Sequence, residues 1–231
     1  GFRAQREIVQ QDWKPPVMRQ YDASEVARLF AGHECDDSSL ILLVHEGPIA
    51  RVEAEMLAIN DIMASLGLSA ADPAVAASWM EHRNNVPEWR DLLEQGLIAD
   101  TIEVSGSWRQ IDAIYDNVVA ALKEVPDCVN ASAHSSHVYR SGINLYFTFA
   151  CMPGDTSVMG DRYLESWDRA LTATAQAGGG IAHHHGSGRL RRQYLHHDLG
   201  KGGVELLRTV KNALDPQGIL NPGNLLPPLS D

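Results

Sequence analysis

The sequence predicts an α+β fold: an antiparallel, ferredoxin-like sheet covered by helices on one face. Three observations carry this. Stretches with apolar residues at helical spacing follow stretches with apolar alternation along the whole chain. Val129 to Arg140 and Ile143 to Met152 read as strands joined by the turn Ser141-Gly142, and a hairpin is incompatible with an all-parallel sheet. The order helix, strand, helix, strand, helix, helix, strand, helix, strand, strand, helix gathers the helices into a layer against that sheet.

Each element has its own signal. Phe2 to Gln11 is a weakly amphipathic helix, ended by Pro15-Pro16. Val17 to Tyr21 is a short strand. Asp22 is an N-cap for a helix with Val26, Leu29 and Phe30 on its apolar face. Ser39 to His45 is almost continuously apolar and is expected at the centre of the sheet. Pro48 opens a helix carrying Val52, Met56, Ile59, Ile62, Met63 and Leu66, and Gly67 closes it. Ala70 to Arg83 is helical, and Asn84 to Pro87 breaks the chain. Leu97 to Val104 alternates as a strand. Ser107 to Lys123 is a helix with Trp108, Ile111, Ile114, Val118 and Leu122 on one face. Tyr163 to Ala177 is a helix stopped by Gly178-Gly179-Gly180, and Gly203 to Ala213 is another, closed by Asp215-Pro216-Gln217-Gly218. The tail from Ile219 to Pro228 is extended and apolar.

The chain has 231 residues with 44% hydrophobic content, enough for one large or two small cores. A net charge of -11 argues against nucleic acid as a partner. Cys35, Cys128 and Cys151 are widely spaced beside apolar or strand-like sequence, which predicts a reduced, intracellular protein without a disulfide framework. No apolar run is long enough to span a membrane. The opening Gly1-Phe2-Arg3 reads as a helix already under way, so a piece of a longer polypeptide is expected.

The chemistry concentrates in His183-His184-His185-Gly186-Ser187-Gly188-Arg189-Leu190-Arg191-Arg192. Imidazole exchanges protons near neutral pH, and guanidinium forks suit carboxylate or phosphate. A tag scar, a zinc site and a solvated loop are the competing readings. No metal is expected, because consecutive histidines cannot all reach one ion and no ligand pair at metal spacing lies beside them. On the strand Asn144 to Phe149, alternation puts Tyr146 on the polar face; a half-buried sheet tyrosine is the plain alternative. His134 and His137, three apart on a strand, should face opposite ways. His82-Arg83 ends a helix, where the macrodipole favours cations. The residues alone support an anion-binding acid/base site and no particular reaction.

The triple histidine with Gly186-Ser187-Gly188-Arg189, together with Asp215-Pro216-Gln217-Gly218-Ile219-Leu220-Asn221-Pro222-Gly223-Asn224-Leu225-Leu226, resembles the C-terminal end of flavin-linked oxidases of the vanillyl-alcohol-oxidase type. With Leu145-Tyr146-Phe147, Glu81-His82-Arg83 and Val17-Met18-Arg19 upstream, the chain is similar to alkyldihydroxyacetonephosphate synthases and their bacterial relatives over nearly its whole length. The resemblance implies a cap (substrate) domain over residues 1–180 and a segment, 181–231, that returns to a flavin domain. It implies FAD in the full-length protein, acting as a covalent partner without net oxidation while a fatty alcohol replaces the acyl group of acyl-dihydroxyacetone phosphate in ether-lipid synthesis. The isolated chain should bind no FAD tightly and catalyse nothing.

By the same resemblance Tyr146 moves a proton, and His184 and His185 act as acid and base with His183 in support. Arg83 and Arg189 hold the substrate phosphate or carboxylate, and Asn221 lies at the cofactor. The loop reads Gly-Ser-Gly-Arg where the synthases tend to carry Gly-Val-Gly-Lys, and Gly142-Ile143-Asn144 also departs from them. The rivals are therefore an FAD-dependent 2-hydroxy-acid dehydrogenase or oxidase, and a non-catalytic interaction domain. The implied partners are a phosphorylated lipid or 2-hydroxy acid, a membrane surface touched peripherally, and a second copy in a homodimer, in the cytoplasm. The loop from Gly178 to Arg192 is expected to be mobile or displaced without flavin.

Overall fold

The computed structural model describes residues 1–31 and 38–228. Its elements are α1 (Phe2–Gln10), β1 (Val17–Tyr21), α2 (Ala23–Leu29), β2 (Leu40–Val44), α3 (Ile49–Ser65), α4 (Ala74–His82), α5 (Trp89–Glu94), β3 (Ile98–Ser107), α6 (Ile111–Lys123), β4 (Cys128–Ser135), β5 (Gly142–Cys151), α7 (Met159–Gln176) and α8 (Leu195–Leu214). The strands form one antiparallel sheet in the order β2-β1-β4-β5-β3. The α+β prediction holds. The six-residue helix α5 was not foreseen, and α8 starts earlier than expected but is broken at Gly200 (φ 68°, ψ 168°).

Strand alternation sorts the sheet into two faces. On the first, Ile102, Val104, Leu145, Phe147 and Phe149 pack with Ile111, Ile114, Val118 and Leu122 of α6 and Trp167, Ala170 and Leu171 of α7. Phe147 and Phe149 are fully buried; each such side chain contributes about 2–3 kcal/mol over an exposed one. Ile8, Val9, Ile59 and Ile62 of α1 and α3 continue this layer over Met18 and Leu43.

Two expectations fail here. Helices cover both faces: Val26 of α2 and Val75 and Trp79 of α4 pack on Tyr21 and Leu42 from the second side. Strand β2 is an edge strand, paired only with β1 among the described residues. Its apolar run comes from packing on both faces rather than from a central place, since partly buried Leu43 packs against the α1/α3 cluster and buried Leu42 joins the α2/α4 cluster.

Asp22 ties three elements together. It accepts from Glu25 N at 2.8 Å as the cap of α2, from Ala133 N at 2.6 Å in β4 and from Tyr115 Oη at 3.0 Å in α6. After α7 the chain forms one bridge with the free edge of β3, between Gly180 and Ser105, and then crosses to the second face. Ile181 and Tyr194 remain in the main core. Cys128 and Cys151 are free thiols, while Cys35 and residues 229–231 of the tail lie outside the described residues. Among those residues no helix is long and apolar enough to cross a membrane.

Candidate active site

The sheet register lines up one transverse row on the second face. Glu103 of β3 pairs with Tyr146 of β5, Tyr146 with His134 of β4, and His134 with Tyr21 of β1. Cross-strand neighbours on one face touch, and these do: His134 stacks on Tyr146 at 4.9 Å and on Tyr21 at 5.5 Å between ring centroids.

The histidine turn is folded around Glu103. Its fully buried carboxylate accepts the backbone N–H groups of His183, His184 and His185 at 3.3, 3.0 and 2.9 Å. Burial alone pushes this carboxyl up, but the amides of His185 and His184, the Asn144 side chain and the charge of His185 outweigh it and hold the group at about 2. Arg191 clamps the turn from behind, donating to Gly186 O at 3.0 Å and to Glu103 O at 3.2 Å, with its guanidinium 4.7 Å above the Trp167 ring. The loop is therefore seated by its own backbone on Glu103 and Arg191.

The seat extends into a hydrogen-bonded chain of side chains. A carboxylate only accepts, so His184 Nδ1, in contact with Glu103 Oε1, is the donor there. Its Nε2 then carries a lone pair and accepts from Tyr146 Oη at 2.8 Å. Glu103, His184 and Tyr146 form a carboxylate–imidazole–phenol relay. Burial, then the Glu103 charge, raise the Tyr146 phenol above its ordinary range, against a smaller pull from Ser136 and Arg19. The phenol is thus protonated at neutral pH, able to give a proton to a base or receive one back. His185 is exposed, with its ring 5.2 Å from Tyr146. His183 Nδ1 lies 2.8 Å from His184 Nδ1 and 3.3 Å from Glu103 Oε1.

His134 and His137 do not face opposite ways. Strand β4 stops at Ser135, where the buried Asn144 side chain accepts the N–H groups of Ser136 and His137 at 3.1 and 2.9 Å. The peeled-off chain brings the His137 ring to 4.6 Å from His184, on the same face as His134. Arg83 caps α4 with its guanidinium 5.4 Å from the Trp79 ring; Trp79 Nε1 donates to Tyr21 Oη at 2.8 Å. Arg83 thus lies on the Tyr146 side of the sheet, with Trp79, Tyr21 and His134 in between. Arg19 sits 5.3 Å from the same indole, and its charge reaches both Tyr146 and His137. Arg189 is exposed and makes no ion pair among the described residues. Asn221 is exposed with φ 45°, in a tail tied beside the histidine loop by Leu225 N to Gly188 O at 3.2 Å and by Arg192 to Gly223 O.

Sequence reasoning missed Glu103 and Arg19, and it did not foresee that Arg191 clamps the histidine loop or that His134 stacks on Tyr146. Glu103 had a weak signal, an acidic residue between Ile102 and Val104 in a strand interior.

Fold and site together define an α+β domain of the kind that completes flavin-linked enzymes. The chain belongs to the family described as FAD linked oxidases, C-terminal domain, which matches residues 2–225. It is 31% identical to the uncharacterized FAD-linked oxidoreductase YgcU of Escherichia coli (strain K12), over 98% of this chain and 49% of that protein. It is 29% identical to the alkyldihydroxyacetonephosphate synthase of Trypanosoma brucei brucei, over 82% of this chain and 32% of that protein. A solved alkyldihydroxyacetonephosphate synthase superposes with a TM-score of 0.68 at 21% identity, over 95% of this chain and 42% of that one, a likeness of fold. The chain spans about half the length of the first of these relatives and a third of the second.

Proposed function

We propose that this domain supplies the acid/base and anion-binding residues of an FAD-dependent enzyme similar to the alkylglycerone-phosphate synthases, exchanging the acyl group of acyl-dihydroxyacetone phosphate for a fatty alcohol. The observation that carries the reading is the Glu103–His184–Tyr146 relay. Such chemistry needs a proton removed beside a carbonyl and later returned.

The donor set fits a flavin. The relay ends at the surface, where His184 has 42% of its side chain exposed and His185 is exposed, so a ring system bound there meets proton-handling groups. FAD, when bound, would supply covalent chemistry at the substrate carbon without net oxidation. The protein's own residues do the rest. Tyr146 Oη moves the substrate proton, His184 Nε2 takes it up, and Glu103 fixes the imidazole tautomer that leaves Nε2 free. Arg83 and Arg19, both stacked on Trp79, hold the substrate's phosphate or carboxylate on the same face. Arg189, exposed on the histidine loop, would add a further cation for that anion, and Asn221 in the tail would serve the flavin.

The test uses the full-length, FAD-loaded protein with an acyl-dihydroxyacetone phosphate and a fatty alcohol. The expected result is ether product without consumption of an electron acceptor. Turnover of 2-hydroxy acids that depends on an acceptor would replace this reading with hydroxy-acid oxidation. Unchanged turnover in both Tyr146→Phe and His184→Ala would remove the relay from either.

A further inference from the structure

Adjacent histidines in one loop were expected to lack a partner ligand at metal spacing. The folded chain supplies one from elsewhere. The ligand atoms of His137, His183 and His184 all lie within 4.8 Å of one another, and those of Glu103, His184 and His185 form an overlapping set. We propose that His137, His183 and His184 form a site for a divalent transition-metal ion of the zinc type, backed by Glu103, and that its occupancy switches off the relay.

The geometry points to a cation. His183 Nδ1 and His184 Nδ1 face each other at 2.8 Å, and both face Glu103 Oε1. Two N–H groups cannot point into that gap, so at least one imidazole presents a lone pair to it. A tetrahedral ion at about 2.0–2.1 Å from each nitrogen needs ligand separations of about 3.4 Å. Partly exposed rings reach this by side-chain rotation; His183 and His184 keep 22% and 42% of their side chains exposed. Outer partners are already in place. Ser136 Oγ holds His137 Nδ1 at 2.9 Å, which leaves Nε2 for an ion, and Glu103 is fixed by its three backbone amides. Imidazole with one carboxylate suits zinc, copper or nickel rather than magnesium or calcium.

The switching half rests on the relay proposed above. Neutral His184 carries one proton. With the ion on Nδ1, that proton moves to Nε2, which then donates toward Tyr146 Oη instead of accepting from it. No electron is transferred and no net proton is released by His184. The ion takes the position against Glu103 that the Nδ1 proton held.

The experiment titrates the chain, purified without a histidine tag, with Co²⁺ followed in the visible spectrum and with Zn²⁺ in competition. One Co²⁺ per chain, displaced by Zn²⁺, is expected. H137Q and H183Q should each weaken Zn²⁺ binding tenfold or more with unchanged far-UV circular dichroism. H196Q, in the separate His196–His197 contact, should not. Histidine ¹⁵N spectra should show Zn²⁺ moving the Nδ1 resonances of His183 and His184, a readout that does not depend on any variant folding. In the FAD-loaded protein, Zn²⁺ should inhibit wild type and spare H137Q. Absence of binding, or binding untouched by both H137Q and H183Q, overturns the site and leaves the relay standing. Zn²⁺ bound at the site with turnover undiminished overturns the switch and the role of His184 with it.

Discussion

Glu103 is the residue on which the site depends. Removing its charge leaves three backbone N–H groups and two imidazoles facing a weaker acceptor. Glu103→Gln should cost about 1–3 kcal/mol of stability, measured by urea unfolding of the chain. In the FAD-loaded protein it should lower turnover about a hundredfold or more, because the tautomer of His184 is no longer fixed. Tyr146→Phe should lower kcat by a similar factor and leave KM nearly unchanged, since the phenol acts in the transition state. Arg83→Lys should do the reverse and raise KM, because an ammonium does not reproduce a bidentate fork. A kcat defect in Arg83→Lys with KM unmoved would remove the arginine from substrate binding.

The elements show what the sequence could reveal. Periodicity and Gly/Pro breaks located most helices and strands because those signals are local. The place of β2 was not legible. A strand packed by helices on both faces reads the same at an edge as at the centre, and which helices cover it is decided by tertiary packing. His134 and His137 were misassigned because the end of β4 is set by Asn144, a side chain from the next strand. The histidine triplet stood out by composition, whereas Glu103 gains its role from a loop eighty residues later. The β3–β5 ladder gives an element-scale prediction. A Cβ on Gly142 would sit 2.1 Å from Gly106 O, a backbone atom with no room to yield. Gly142→Ala should destabilise the chain by about 1–3 kcal/mol, and amide exchange should accelerate at that end of the ladder while α3 stays protected.

Over the whole molecule, two buried carboxylates, Glu25 and Glu103, are held far below their ordinary range. Burial raises Glu25 and Glu103, but His134 and Arg28 around the first and the loop amides and Asn144 around the second bring both down to about 2. Their folded values lie below the ordinary 4.5. Their stabilisation is therefore complete above that pH and is lost as pH falls from 4.5 through about 2. Urea midpoints measured at pH 6, 4 and 3 should fall steeply over this window in wild type and less steeply in Glu103→Gln. Equal slopes would mean that Glu103 is not held low.

The three amides that close on Glu103 join parts of the chain separated by eighty residues or more. Contacts of that span form only after the intervening chain has found its place, because closing a long loop has an entropic cost that local structure does not. The carboxylate also has to be presented by a finished β3 before the loop has anything to close on. Refolding should thus pass through a species with the sheet protected and the histidine turn still open. In pulse-labelled exchange the amides of 183–185 should gain protection after those of β3 and β5, so competence for chemistry arrives last, well behind compactness.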